Sequence, residues 1–139
     1  SNGADETMSR IPVLLSAVVT ILLALLLQGC VFIDTNGGGD HTANCSSGGC
    51  DLSCPNVDEC RLSCSGGSCD MHCNGADDCN VSCSGGRCDI RCGNADDCDV
   101  SCTGGKCDID CDNADVCRTR CSGGGCDVDC DDADDCFRR

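Results

Sequence analysis

The chain has 139 residues, a net charge of −15, 21 cysteines and only two aromatic side chains, both phenylalanine. So acidic a chain repels a phosphate backbone, which argues against a nucleic-acid partner. So few large apolar residues outside one N-terminal run cannot fill an ordinary core, and cross-links must take its place. Cysteine at this density belongs to an oxidising compartment or to a metal store. Metal-storing chains rely on CxC and CxxC pairs, and neither spacing occurs here.

The first predicted element is an apolar signal helix over Ile11 to Leu27 (IPVLLSAVVTILLALLL), opened by the short basic start Met8-Ser9-Arg10. A basic start, an apolar segment and a small residue ahead of a cut describe an export signal. Residues 1–29 are assigned to it, with Met8 as the true start. Leu27-Gln28-Gly29-Cys30 resembles the lipobox of bacterial lipoproteins. That resemblance implies a lipid on Cys30 and cleavage just before it. Val31 stands where that family places an inner-membrane retention aspartate, which implies delivery to the outer membrane or cell surface. Two alternatives stay open. The run Ile11 to Ile33 is long enough to cross a bilayer uncleaved, or the signal is cut without lipidation. All three place the cysteine-rich repeats outside the cytoplasm. Residues 30–44 read as the lipidated cysteine and a glycine-rich tether with a reach of roughly 20 Å, in which His41 is solvated.

From Cys45 to Arg139 the gaps between cysteines run 5, 4, 6 and 4 and then repeat, giving five copies of 19 residues. A period near 20 marks a stacked repeat. In Cys88-Asp89-Ile90-Arg91-Cys92 the alternation is strict, with Cys, Ile and Cys to one side and Asp and Arg to the other, as in a strand. Cys98-Asp99-Val100-Ser101-Cys102 behaves alike. The middle inward positions are Leu52, Leu62, Met71, Val81, Ile90, Val100, Ile109, Thr119 and Val128, and only Thr119 is polar. Gly85-Gly86 and its equivalents supply turn positions open to positive φ. The predicted fold is therefore all-β: a two-sheet parallel β-solenoid of five coils, a rod about 24 Å long.

Cysteines within one strand lie roughly 13 Å apart, too far to bridge, and pairing like positions of stacked coils orphans one cysteine per column of five. Pairing across each turn orphans none. It gives Cys45–Cys50, Cys54–Cys60, Cys64–Cys69, Cys73–Cys79, Cys83–Cys88, Cys92–Cys98, Cys102–Cys107, Cys111–Cys117, Cys121–Cys126 and Cys130–Cys136. Lipidation of Cys30 accounts for the odd cysteine.

A narrow disulfide-stapled solenoid resembles the beetle antifreeze proteins in architecture. Their ice face is a flat Thr-x-Thr array, whereas the outward columns here read Asp51, Asp70, Asp89, Asp108, Asp127 and Ser53, His72, Arg91, Asp110, Asp129. Gly85 to Ile90 is similar to calcium-binding β-roll repeats, but with the aspartate shifted, so no calcium ligand carries over. The chain also looks like the cysteine-rich repeat lipoproteins of gliding soil bacteria, a group without a defined activity. Stacking aligns Asp58, Asp77, Asp96, Asp115 and Asp134 in the longer turns, the candidate ligands for Ca²⁺, a hard ion that takes oxygen donors; no other cofactor is expected. No phosphate loop, HExxH or catalytic-cysteine pattern occurs, and an enzyme is not expected. The sequence thus points to a lipid-anchored extracytoplasmic structural or surface-interaction protein, whose partners are the membrane and a protein, glycan or mineral surface. A Ca²⁺-binding module is the rival.

Overall fold

The structure, a computed structural model, describes residues 39–139 and the strand at 31–33. The expected signal helix, Met8 and Cys30 lie outside the described residues. Among the described residues no helix is long and apolar enough to cross a membrane, and every regular element is a strand.

The described residues form two parallel sheets of six strands each. The first holds β1 (Val31–Ile33), β3 (Asp51–Ser53), β5 (Asp70–His72), β7 (Asp89–Arg91), β9 (Asp108–Asp110) and β11 (Asp127–Asp129), in that order. The second holds β2 (Asp40–Cys45), β4 (Glu59–Cys64), β6 (Asp78–Cys83), β8 (Asp97–Cys102), β10 (Val116–Arg120) and β12 (Asp135–Arg138). Successive strands alternate between sheets, so the chain winds as a β-solenoid, and like positions of the repeat stack directly: Met71 on Ile90, Val81 on Val100, Cys79 on Cys98. The turns stack as well. Asp97 N–H donates to the Asp77 carbonyl at 2.9 Å and Arg87 N–H to that of Gly105 at 3.0 Å, so the hydrogen-bond ladder runs around the bends.

Sulfur and short aliphatics fill the interior. Leu52, Met71, Ile90 and Ile109 from one sheet face Leu62, Val81, Val100 and Thr119 from the other, all buried. Val128 is only partly buried. Val57, Ala76, Ala95 and Ala114 also point inward from the longer turns, a core column that the strand alternation does not reveal. Each bridge closes one turn: Cys83–Cys88 and Cys102–Cys107 close shorter turns, Cys92–Cys98 and Cys111–Cys117 longer ones, and the other six follow the same rule. A loop of about six residues closed this way stabilises by roughly 2 kcal/mol in the chain-entropy account.

Residues 40–44 are not a free tether. They belong to β2, with Asp40, Ala43 and Cys45 beside Glu59, Leu62 and Cys64 of β4. His41, expected in solvent, is half-buried in register with Cys60. Val31–Ile33 pair with Asp51–Ser53. The segment folds as part of the solenoid because DHTANC alternates as ECRLSC does, with Ala43 inward. It lacks the paired cysteines by which the period is recognised.

The turns separate two uses of glycine. Gly86 has φ +74°, in the left-handed region. Gly85 does not, but a Cβ there would collide with the backbone of Gly66 and Gly67 in the coil below. In the longer turns the left-handed position is filled by Asn56, Gly75, Asn94, Asn113 and Asp132, residue types that tolerate it.

Candidate functional site

Side chains that repeat every 19 residues become ladders along the rod, so any site here is a column or a place where a column changes. The aspartates expected as calcium ligands, Asp58, Asp77, Asp96, Asp115 and Asp134, stand one per coil, all exposed. The carbonyls of Asp58, Asp77, Asp96 and Asp115 are taken up by the ladder, accepting from Asp78, Asp97, Val116 and Asp135. Only the carboxylates would face an ion. At a coil rise near 4.8 Å, neighbouring carboxylates repel by about 1 kcal/mol in water and three to four times that at an effective dielectric of 20. Water and counterions screen exposed groups.

On the first sheet, Asp51, Asp70, Asp89, Asp108 and Asp127 are direct register neighbours. Arg91 offsets part of this charge, its guanidinium 3.1 Å from the Asp89 carboxylate. Ser53 and His72 are adjacent in register, and among the described residues no hydrogen bond joins them.

The second sheet is different. It too carries an acidic outward ladder, Asp40, Glu59, Asp78 and Asp97, but next to this run Thr42, Arg61, Asn80, Asp99 and Arg118, and beside them Asn44, Ser63, Ser82, Ser101 and Arg120. Arg61 pairs with Glu59, and Arg118 with Asp97 at 2.6 Å and Asp99 at 3.9 Å. The Asp97 hydrogen bond is the largest cause holding the Arg118 guanidinium above its usual range.

A feature that the turn columns alone do not signal lies where the last two coils meet. Asp110, Asp112, Asp129, Asp131 and Asp132 cluster there. Asp112 N–H donates to Asp110 Oδ1 at 3.0 Å, and Asp131 N–H to Asp129 Oδ1 at 3.2 Å. Oδ1 of Asp112 is shut off from solvent and, among the described residues, accepts no hydrogen bond. Shielding from water, and then the charges of Asp110, Asp129, Asp131 and Asp132, push its carboxyl above the ordinary carboxylate value. The signal was present in the sequence: the turn position that reads Pro55, Asn74 and Gly93 in the earlier coils becomes Asp112 and Asp131.

Inside the rod the sulfurs also form columns. Sγ of Cys60 lies 3.3 Å from Sγ of Cys73 in the next coil, and that of Cys79 lies 3.8 Å from that of Cys92. Groups such as Cys54, Cys60 and Cys73 hold three sulfurs within 4.8 Å of one another. These sulfurs are all in disulfides, which lack the thiolate that soft metals require. No family model, no curated protein and no solved structure matches this chain.

Proposed function

We propose that the chain is a lipid-anchored, extracytoplasmic rod that works by presenting its surface rather than by catalysing a reaction. The observation that carries this reading is that all twenty repeat cysteines are bridged in a narrow core they share with short aliphatic side chains. Such a core suits an oxidising compartment and is of little use in a reducing one. The lipid enters through the lipobox-like Leu27-Gln28-Gly29-Cys30. Because β1 starts at Val31, a lipid on Cys30 would hold the first coil against the membrane with no slack between them. The rod would then stand on the surface with its ladders facing the surroundings. Expression of the full chain in a bacterium fed labelled palmitate tests the anchor. Label should enter the chain and vanish with Cys30→Ser, and its absence from the unaltered chain would remove the lipoprotein reading.

The second reading is a calcium module, favoured by Asp112, whose shielded Oδ1 sits among four further carboxylates. A hard divalent ion would neutralise this cluster with oxygen donors. Millimolar Ca²⁺ should then raise the melting midpoint and a chelator reverse it; an unchanged midpoint rejects this reading.

A further inference from the structure

Asn80-Val81-Ser82 in β6 has the spacing of an N-glycosylation acceptor, an asparagine with a hydroxyl two residues on and no proline between. Asn80 and Ser82 are both outward and exposed, while Val81 and the cysteines on either side, Cys79 and Cys83, are buried. Among the strands of the second sheet that have a neighbour on each side, β6 alone has all three outward side chains exposed. We propose that Asn80 is a glycosylation site, its amide nitrogen carrying an N-linked glycan that lies over the second sheet. The proposal rests on the extracytoplasmic reading above, since this acceptor is used in exported chains, and it gives that surface a carbohydrate cover of its own.

The fold gives Asn80 no other task. Asn56, Asn94 and Asn113 hold left-handed turn positions, which asparagine tolerates well, but Asn80 lies inside a strand, where it is disfavoured. Among the described residues its side chain makes no hydrogen bond or ion pair. Its register neighbours Arg61 and Asp99 are drawn to partners of their own, Glu59 and Arg118. Room is present too. Asn80 and Ser82 line an open groove of about 420 Å³ on this sheet, and Ser63 and Ser101, on either side of Ser82, offer hydroxyls to the first sugars. A bulky group leaving the outward face enters solvent without disturbing the buried column. In the transfer, the Asn80 amide nitrogen attacks C1 of a sugar carried on a polyprenyl diphosphate. The N–C1 bond forms, the C1–O bond breaks, the amide gives up one proton and the polyprenyl diphosphate leaves. A transferase reads its acceptor as free chain, so this step precedes closure of Cys73–Cys79 and Cys83–Cys88, which pin β6 at both ends. Asn44-Cys45-Ser46 shares the spacing, but its central residue is itself a bridge cysteine, so closing Cys45–Cys50 removes that acceptor directly. Asn80 has valine there.

The test is peptide mapping by mass spectrometry of the full chain purified from the cells that make it, with free thiols blocked before reduction. The expected result is a peptide containing Asn80 that carries the added mass of a glycan and yields sugar fragment ions. Asn80→Gln and Ser82→Ala should each abolish the added mass. Ser82→Thr, which keeps a hydroxyl two residues on, should retain it, and so should Ser63→Ala, which alters the same groove outside the acceptor. A full set of bridges in each variant establishes that it folds. Unmodified Asn80 in a fully bridged chain, added mass that survives Asn80→Gln, or loss on Ser63→Ala equal to that on Ser82→Ala would each overturn the site. The extracytoplasmic reading would survive those results, because the bridges themselves call for an oxidising compartment. Unmodified Asn80 in a chain of free thiols would end both.

Discussion

Gly86→Ala places one methyl group where two separate demands meet. Gly86 has φ +74°, and an added Cβ would lie 2.5 Å from the Gly105 carbonyl oxygen and 2.7 Å from the carbonyl of Gly104. The left-handed conformation costs an alanine roughly 1 kcal/mol. Relieving the contact means parting two coils by nearly an ångström, since carbon–oxygen contacts settle at about 3.3 Å or more. Parting them stretches the neighbouring bond from Arg87 N–H to Gly105 O, now 3.0 Å, worth about 1 kcal/mol. The expected loss is therefore on the order of 3 kcal/mol once lost coil-to-coil packing is added. Gly124→Ala separates the two demands, because Gly124 has φ +72° and nothing within 4 Å of the added Cβ. It should cost only the conformational part, about 1 kcal/mol. Denaturant titration with the bridges intact, and hydrogen exchange at the Arg87 amide, would read both variants. Equal losses for Gly86→Ala and Gly124→Ala would refute the claim that backbone contact between turns, rather than dihedral preference alone, keeps glycine there.

Three further outcomes are expected. Thr119→Val should be neutral or raise stability by up to about 1 kcal/mol, because the side chain is buried and its hydroxyl's one partner among the described residues, the Phe137 carbonyl, is 3.4 Å away; melting midpoints check this. Replacing Cys92 and Cys98, both fully buried, by alanine should cost the roughly 2 kcal/mol of loop closure plus a cavity term, whereas replacing the more exposed pair Cys130 and Cys136 should cost little beyond the loop term. Asp112→Asn should flatten the pH dependence of stability. The folded Asp112 carboxyl titrates above the ordinary value of 3.8, so its contribution is present below that value and is lost as pH rises through the folded value. The stability gap in favour of the asparagine variant should therefore widen above pH 3.8, as seen in melting curves across the acidic range.

The fold was legible because one constraint recurs at every coil. A strand of period two with cysteine on its inward face leaves few ways to stack, and the alternation in CDIRC and CDVSC assigns the sheets correctly. Strand ends were less legible. Asp89–Arg91 is shorter than the span from Cys88 to Cys92, and Asp97–Cys102 is one residue longer than the span from Cys98, because pairing in the longer turn begins at the aspartate that precedes the cysteine. The strand pair ahead of Cys45 was hidden for a different reason. The cysteine metric is blind where His41 stands in the column of Cys60, although Ala43 keeps the inward position. A search by alternation rather than by cysteine would have found it.

Sites are harder to see in such a chain because repetition makes every column look alike, while recognition depends on where columns break. Asp112 matters because its coil departs from Pro55, Asn74 and Gly93, and Asn80 matters because it stands uncharged between Arg61 and Asp99. Neither departure carries meaning until the stacking register shows what lies beside it. Asp112 then falls between Asp110 and the coil of Asp129 and Asp131, and Asn80 in the open groove of the second sheet. In a solenoid the regular positions build the rod, and it is the exceptions, read in register, that give one face a different chemistry from the other.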